Sequence, residues 1–73
     1  MSGSRNITVR INDQPRTFDS DVTVLGALRE LGLAERRGIA VALDDAVVTR
    51  SQWETRTLSD GQRLLIIQAT QGG

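Results

Sequence analysis

A single short helical pattern, with strand patterns on both sides of it, constrains most strongly what this chain can fold into. Val24, Leu28 and Leu31 recur at the spacing of one helical face, which predicts a helix from the first of these residues to the last. Thr23 can serve as its N-cap, and Gly32 stands where a helix C-terminus favours positive φ. A helix this short depends on packing against a sheet. We therefore expect one helix held against β-structure.

The residues before this helix have the pattern of a β-hairpin. Apolar and polar residues alternate from Asn6 to Ile11, which is the period of a half-buried strand. Residues 12–15 combine Asn, Asp and Pro, a composition typical of turns. Residues 16–19 resume the extended pattern, and they include Phe18, the best aromatic candidate for the core.

A second hairpin is predicted after the helix. Residues 39–43 are a short apolar run, typical of a buried strand, and residues 46–48 have the pattern of a short return strand. Asp44-Asp45 between them predicts a tight turn. Adjacent carboxylates can also suggest a metal site, but two neighbours without a third ligand nearby in sequence are more often a solvated turn. We therefore expect no metal site here.

One helical turn and a final strand are predicted for the rest of the chain. Ser51 can cap the turn with Glu54 three residues on, as in a capping box, and the turn carries the only Trp, Trp53. Gly61 supplies the left-handed conformation of a turn before a strand at residues 63–69. The order strand-strand-helix-strand-strand-strand fits a mixed sheet of about 4–5 strands with one helix on a single face. The predicted fold class is α+β, in the β-grasp arrangement.

Composition limits what the chain can do by itself. At 73 residues it is one small domain, of a size that buries only about 60% of its unfolded-chain surface. An enclosed active site has little room, so we predict that the chain is not an enzyme. Cys and His are absent, which excludes disulfides, Cys-metal sites and the catalytic pairs that need these residues.

Charge and hydropathy limit the kinds of partner and the cellular location that we expect for this chain. The net charge is zero without a basic stripe, and one Trp, one Phe and no Tyr offer no stacking platform, so no nucleic-acid binding is expected. No segment approaches the ~18 apolar residues of a membrane span, and the first residues lack signal-peptide character. We expect a cytoplasmic single domain over residues 1–73, monomeric when free, with residues 1–5 and 70–73 flexible.

The chain ends in Gly72-Gly73, the thinnest and most extensible end that a polypeptide can have. Such an end can enter a narrow channel and present its carboxylate to another enzyme. A frayed glycine-rich end is the alternative, since termini are usually disordered. The predicted strand at residues 63–69 leaves only Thr70-Gln71 as a spacer, and this favours a delivery role over a loose end.

Three features together resemble a known family. Residues 48–53 fit the pattern Val-x-Arg-x-x-Trp, Asp60-Gly61 matches an aspartate-glycine turn before the last strand, and the chain ends in diglycine. These features resemble the ThiS family, the ubiquitin-like sulfur carriers of thiazole formation in thiamin biosynthesis. The resemblance spans residues 6–73, nearly the whole chain, and it implies the same β-grasp fold.

The resemblance implies a mechanism at Gly73. Because the chain has no cysteine to hold a persulfide, its C-terminal carboxylate is the remaining covalent handle. By resemblance, a ThiF-like adenylating enzyme uses ATP and magnesium to form a Gly73 acyl-adenylate, and a persulfide donor converts this to a thiocarboxylate. The thiocarboxylate then donates sulfur to a ThiG-like thiazole synthase. The chain itself would bind no cofactor, and Gln71 and Gly72 would form the tail that presents Gly73.

The alternation of the last strand predicts where these partners dock. If Leu64 and Ile66 point into the core, then Arg63, Leu65 and Ile67 point to the opposite face. Leu65 and Ile67 would then form an exposed apolar patch next to the tail, and such patches commonly mark interaction sites. We predict Arg63, Leu65 and Ile67 as docking residues.

Two alternatives stay open at this point. The chain could carry sulfur for molybdopterin, for cysteine or for another metabolite. It could also be a non-covalent β-grasp interaction module in which the diglycine has no chemical role.

Overall fold

A computed structural model describes residues 5–68 of the chain. Its elements follow the predicted order, with one α-helix between strands. In chain order they are β1 (Asn6–Ile11), β2 (Gln14–Asp19), α1 (Val24–Glu30), β3 (Ile39–Leu43), β4 (Ala46–Val48), a 3-10 helix (Arg50–Gln52) and β5 (Arg63–Gln68). Neither helix in this part of the chain has the length and apolar character needed to cross a membrane.

The strands form one five-stranded mixed sheet in the order β2-β1-β5-β3-β4. β5 is the central strand, parallel to β1 and antiparallel to β3. β1 with β2 and β3 with β4 are the two antiparallel hairpins. The strand that leads toward the C-terminus is thus inserted between the hairpins. The predicted mixed sheet with one helix is confirmed.

The helix α1 covers one face of this sheet. Its Val24, Ala27 and Leu28 are buried and share a single core with the strands. The free energy of folding gains about 1.5–3 kcal/mol from each fully buried Val or Leu side chain, which is how so short a helix is held in place. The buried apolar residues are Ile7, Val9, Ile11, Phe18, Val24, Ala27, Leu28, Val41, Leu43, Val48, Trp53, Leu58 and Leu64.

Both ends of α1 agree with the sequence-based expectation. The Thr23 hydroxyl accepts a hydrogen bond from the backbone N–H of Gly26 at 3.1 Å, which confirms Thr23 as the N-cap. Gly32 has a φ of 75°, the left-handed conformation expected after a helix. Leu31, predicted as the last helical residue, is the C-cap.

The first turn is shorter than predicted. Asn12 and Asp13 alone form it, with φ values of 50° and 72°, and β2 already begins at Gln14. Pro15, predicted to belong to the turn, therefore lies within a strand opposite Arg10. Because β2 is an edge strand, the missing N–H of Pro15 is tolerated there.

Two predictions for the second half of the chain were wrong in detail. β3 is half-buried, because the helix covers only one face of the sheet: Val41 and Leu43 are buried, whereas Ala40 is exposed. The helical turn before Trp53 starts after Thr49 instead of at Ser51. The Gln52 side chain accepts a hydrogen bond from the Thr49 backbone N–H at 3.3 Å, so the predicted Ser51 and Glu54 capping box does not form.

Candidate functional site on the last strand

The residues of β5 alternate between the core and the uncovered face of the sheet, as predicted. Leu64 is only 1% exposed, whereas Leu65 and Ile67 are 49% and 54% exposed. Ile66, partly buried, packs against the core. Arg63 lies on the same face as Leu65, and its side chain is 71% exposed. The structure thus brings the three predicted docking residues together on one face, while their docking role stays a prediction.

The exposed apolar surface extends beyond β5. Ala42 lies in register with Leu65, and Ala40 with Ile67, so the side chains of each pair share a face. Val47 of β4 stands opposite Ala42 and is 74% exposed. Together Ala40, Ala42, Val47, Leu65 and Ile67 form what we name the open-face patch. Sequence reasoning missed Val47, although its alternation with the buried Val48 was a usable signal.

The border of the open-face patch is charged. Arg10 of β1 is in register with Arg63 of β5, and the Arg63 guanidinium lies 3.8 Å from the Asp13 carboxylate. Both members of this ion pair are largely exposed, so it adds little to stability. A cleft of about 150 Å³ beside Leu65 is lined by these three charged residues and by Asp45. Charges of both signs at the rim of an apolar patch favour a specific orientation of a protein partner.

Side chains from both hairpin turns hold β5. Asp44 accepts a hydrogen bond from the Arg63 backbone N–H at 3.0 Å, at the beginning of the strand. Asn12 accepts one from the Ile66 N–H at 2.8 Å and donates one to the Ile66 carbonyl at 3.1 Å. Sequence reasoning treated both residues only as turn formers. Asp60, in the turn before β5, accepts from the Thr8 N–H at 2.7 Å.

Gly73, the residue predicted to react, and Gln71 and Gly72, predicted to form its tail, lie outside the described part of the chain. Gln71, Gly72 and Gly73 follow the last described residue, Gln68, by three to five positions in the sequence. Of the residues predicted to be flexible, 1–5 and 70–73, only Arg5 is described, and its carbonyl accepts a hydrogen bond from the Ser20 N–H at 2.9 Å. Ala69, predicted as the last residue of the final strand, also lies outside the described residues.

The Val-x-Arg-x-x-Trp segment has a structural role. Trp53 is 2% exposed, and its indole N–H donates to the Val48 carbonyl at 3.2 Å. The Arg50 guanidinium lies 5.0 Å from the centroid of the Trp53 ring and donates to the Ala34 carbonyl at 3.1 Å. The segment therefore ties the end of β4 to the connection after α1. It stabilises the fold on the helix side of the sheet.

We expect Trp53→Ala to lower the free energy of unfolding by about 3–5 kcal/mol, because it removes the largest side chain of this core and leaves a cavity. Arg50→Ala should lower the free energy of unfolding by no more than about 1 kcal/mol, since cation–π contacts at exposed sites are weak. Chemical denaturation of the two variants and the wild type measures this difference. Equal losses would contradict the assignment of the indole as the stabilising group.

The fold and the site together define a class of protein. A mixed sheet with one helix on a single face, and an exposed apolar row on the strand before a diglycine end, characterises the ubiquitin-like β-grasp proteins. Comparison with known sequences identifies the family within this class. The sequence model of the ThiS family matches residues 9–73, and the chain belongs to this family.

Individual relatives agree with this assignment. The sulfur carrier protein ThiS of Escherichia coli (strain K12) is 31% identical over 65 residues, which cover 89% of this chain and 97% of that protein. The crystal structure of the thiamine biosynthesis protein ThiS from Geobacter metallireducens superposes with a TM-score of 0.77 at 25% identity, covering 92% of this chain and 100% of the other. An NMR structure of a thiamine biosynthesis protein from the same organism superposes with a TM-score of 0.73 at 25% identity, covering 92% of this chain and 88% of the other. The predicted family and fold are confirmed.

Proposed function

We propose that this chain is the sulfur carrier for thiazole formation in thiamin biosynthesis, with the Gly73 carboxylate as the group that bears sulfur. One observation carries the proposal: the strand that displays Leu65 and Ile67 is the strand that leads to the diglycine, and the family match runs through both. The similarity to thiamin proteins favours this function over molybdopterin or cysteine synthesis.

A carboxylate resists nucleophiles because its charge is delocalised and oxide is a poor leaving group, so Gly73 must first be activated. In the proposed reaction a ThiF-like adenylating partner places the carboxylate on the α-phosphorus of magnesium-bound ATP and releases pyrophosphate. The terminal sulfur of a persulfide donor then displaces AMP from the acyl carbon. A thiol then attacks the donor's own sulfur and forms a disulfide with it, while the transferred sulfur leaves with the electron pair as the Gly73 thiocarboxylate. The thiocarboxylate supplies sulfur to a ThiG-like thiazole synthase.

This reaction divides the work between the chain and its partners. ATP, magnesium and the catalytic side chains belong to the partners. The chain contributes an acyl group and a surface that the partners recognise, which we propose to be the open-face patch with Arg63 at its border. Exposed apolar area of this kind, next to the segment that must enter a partner's active site, is suited to docking.

Intact-mass measurement tests the proposal. After incubation with the adenylating partner, ATP, magnesium and a sulfur source, the chain should gain about 16 Da, because sulfur replaces oxygen at the carboxylate. A chain of unchanged mass, beside a known carrier that gains the same increment, would support the non-covalent module instead. Reconstitution of the loaded chain with each synthase distinguishes the thiazole pathway from molybdopterin and cysteine synthesis.

A further inference from the structure

Asn12 continues the pairing of β1 and β5 beyond the point where the backbone of β1 turns away. The registered pairs between these strands are Arg10 with Arg63 and Ile11 with Leu64, and the Asn12 backbone N–H donates to the Leu64 carbonyl at 3.0 Å. Beyond this bond, the Asn12 side chain makes the next hydrogen bonds to β5. Its carboxamide accepts from the Ile66 N–H at 2.8 Å and donates to the Ile66 carbonyl at 3.1 Å. The Asn12 carboxamide thus makes the pair of hydrogen bonds to Ile66 that a backbone peptide group of β1 would make if the strand continued.

This contact requires asparagine. The backbone at Asn12 has a φ of 50°, which glycine, asparagine and aspartate adopt most readily. Glycine has no side chain, and an aspartate carboxylate can accept a hydrogen bond but cannot donate one. Among these three residues only asparagine fits the turn and also pairs with both backbone groups of Ile66.

We propose that Asn12 is a positioning residue for the reaction at Gly73. This inference rests on the proposed function. Ile66 lies between the two exposed docking residues of β5, and Gly73 is seven positions further along the sequence. By fixing both backbone groups of Ile66, Asn12 sets the path of β5 between the two docking residues, in the part of the strand that precedes residues 69–73. Alignment of reacting atoms governs rate strongly, so a strand that is less well fixed lowers the fraction of docked complexes that react.

The second turn provides a matched control. Asp44 also has a positive φ, of 48°, and its carboxylate also accepts a hydrogen bond from β5, but at Arg63, the first residue of the strand. Asn12→Gly and Asp44→Gly therefore remove side-chain contacts with the backbone of one strand, the first at its fourth residue and the second at its first residue. Both keep a residue that adopts positive φ without strain. A general loss of stability affects both variants, whereas a positioning role affects only Asn12→Gly.

The experiment combines amide hydrogen exchange with steady-state adenylation by the activating partner. For Asn12→Gly we expect exchange of the Ile66 amide to be about tenfold faster, as for the loss of one or two neutral hydrogen bonds. The kcat of adenylation should fall about tenfold with KM within about twofold, because the docking face is intact. Asp44→Gly should leave kcat within about twofold, and because Asp44 holds the backbone of the docking residue Arg63, any loss in that variant should appear in KM.

The possible results separate this inference from the function on which it rests. An equal loss of kcat in Asn12→Gly and Asp44→Gly would overturn the positioning role, and so would a loss confined to KM or no loss at all. A wild-type chain that is never adenylated would overturn the proposed function, and the positioning role with it. Faster exchange at Ile66 together with an unchanged kcat would show that the contact forms and that the reaction does not depend on it.

Discussion

A chain that lacks Gly73 is expected to lose its ability to carry sulfur while its fold stays intact. The carboxylate would then belong to Gly72, and one residue of extended chain spans about 3.3–3.6 Å. Since a displacement of about 1 Å can cost a hundredfold in rate, the shifted carboxylate should react at less than about 1% of the wild-type rate. Intact mass after incubation with the adenylating partner, ATP and a sulfur source measures the outcome.

Two controls make this result specific. The free energy of unfolding should stay within about 0.5 kcal/mol of the wild type, because the deletion leaves unchanged the core that residues 5–68 form. Gly73→Ala keeps the carboxylate at its position and adds one methyl group, so it should retain more activity than the shortened chain. Full thiocarboxylate formation on the shortened chain would contradict the assignment of Gly73 as the reacting residue.

The elements of the fold could be predicted because each one has a local pattern. The alternation around Ile7 and Val9 marks β1, and the helical spacing of Val24 and Leu28 marks α1. The position of Pro15 could not be predicted in this way. Whether a proline is tolerated in a strand depends on that strand being at an edge, and edge position follows from the order of the whole sheet.

In the candidate site, too, features with a local pattern could be predicted, and contacts between residues distant in sequence could not. The exposure of Leu65 and Ile67 followed from alternation within β5 once Leu64 was assigned to the core. The contacts of Asn12 and Asp44 did not follow, because their partners lie 54 and 19 residues away along the chain. A positive φ fully explains an Asn or Asp in a turn, so nothing local indicates that the same side chain also pairs with a distant strand.

The substitution Leu65→Asp is expected to weaken recognition by the adenylating partner on the order of 30-fold in KM, with kcat changed little. It places a charge in the centre of the open-face patch, and truncating or charging a central interface residue costs about 2 kcal/mol or more. Leu65 is 49% exposed, so the chain should still fold, with a loss of no more than about 1 kcal/mol from the poor strand propensity of Asp. Steady-state adenylation kinetics and chemical denaturation measure the two effects separately.

The matched control is Thr17→Asp, which introduces the same charge on the same face of the sheet. Thr17 is exposed on β2 opposite Thr8, outside the open-face patch and separated from β5 by β1. If the patch is the docking surface, KM for Thr17→Asp should stay within about twofold of the wild type, since a single exposed charge outside the contact is largely screened. Equal increases in KM for Leu65→Asp and Thr17→Asp would indicate that the added charge repels the partner at long range, and that Leu65 does not contact it. An unchanged KM for a folded Leu65→Asp chain would exclude this face as the surface that the activating partner binds, because a buried unpaired carboxylate cannot be accommodated at an apolar contact without a large penalty.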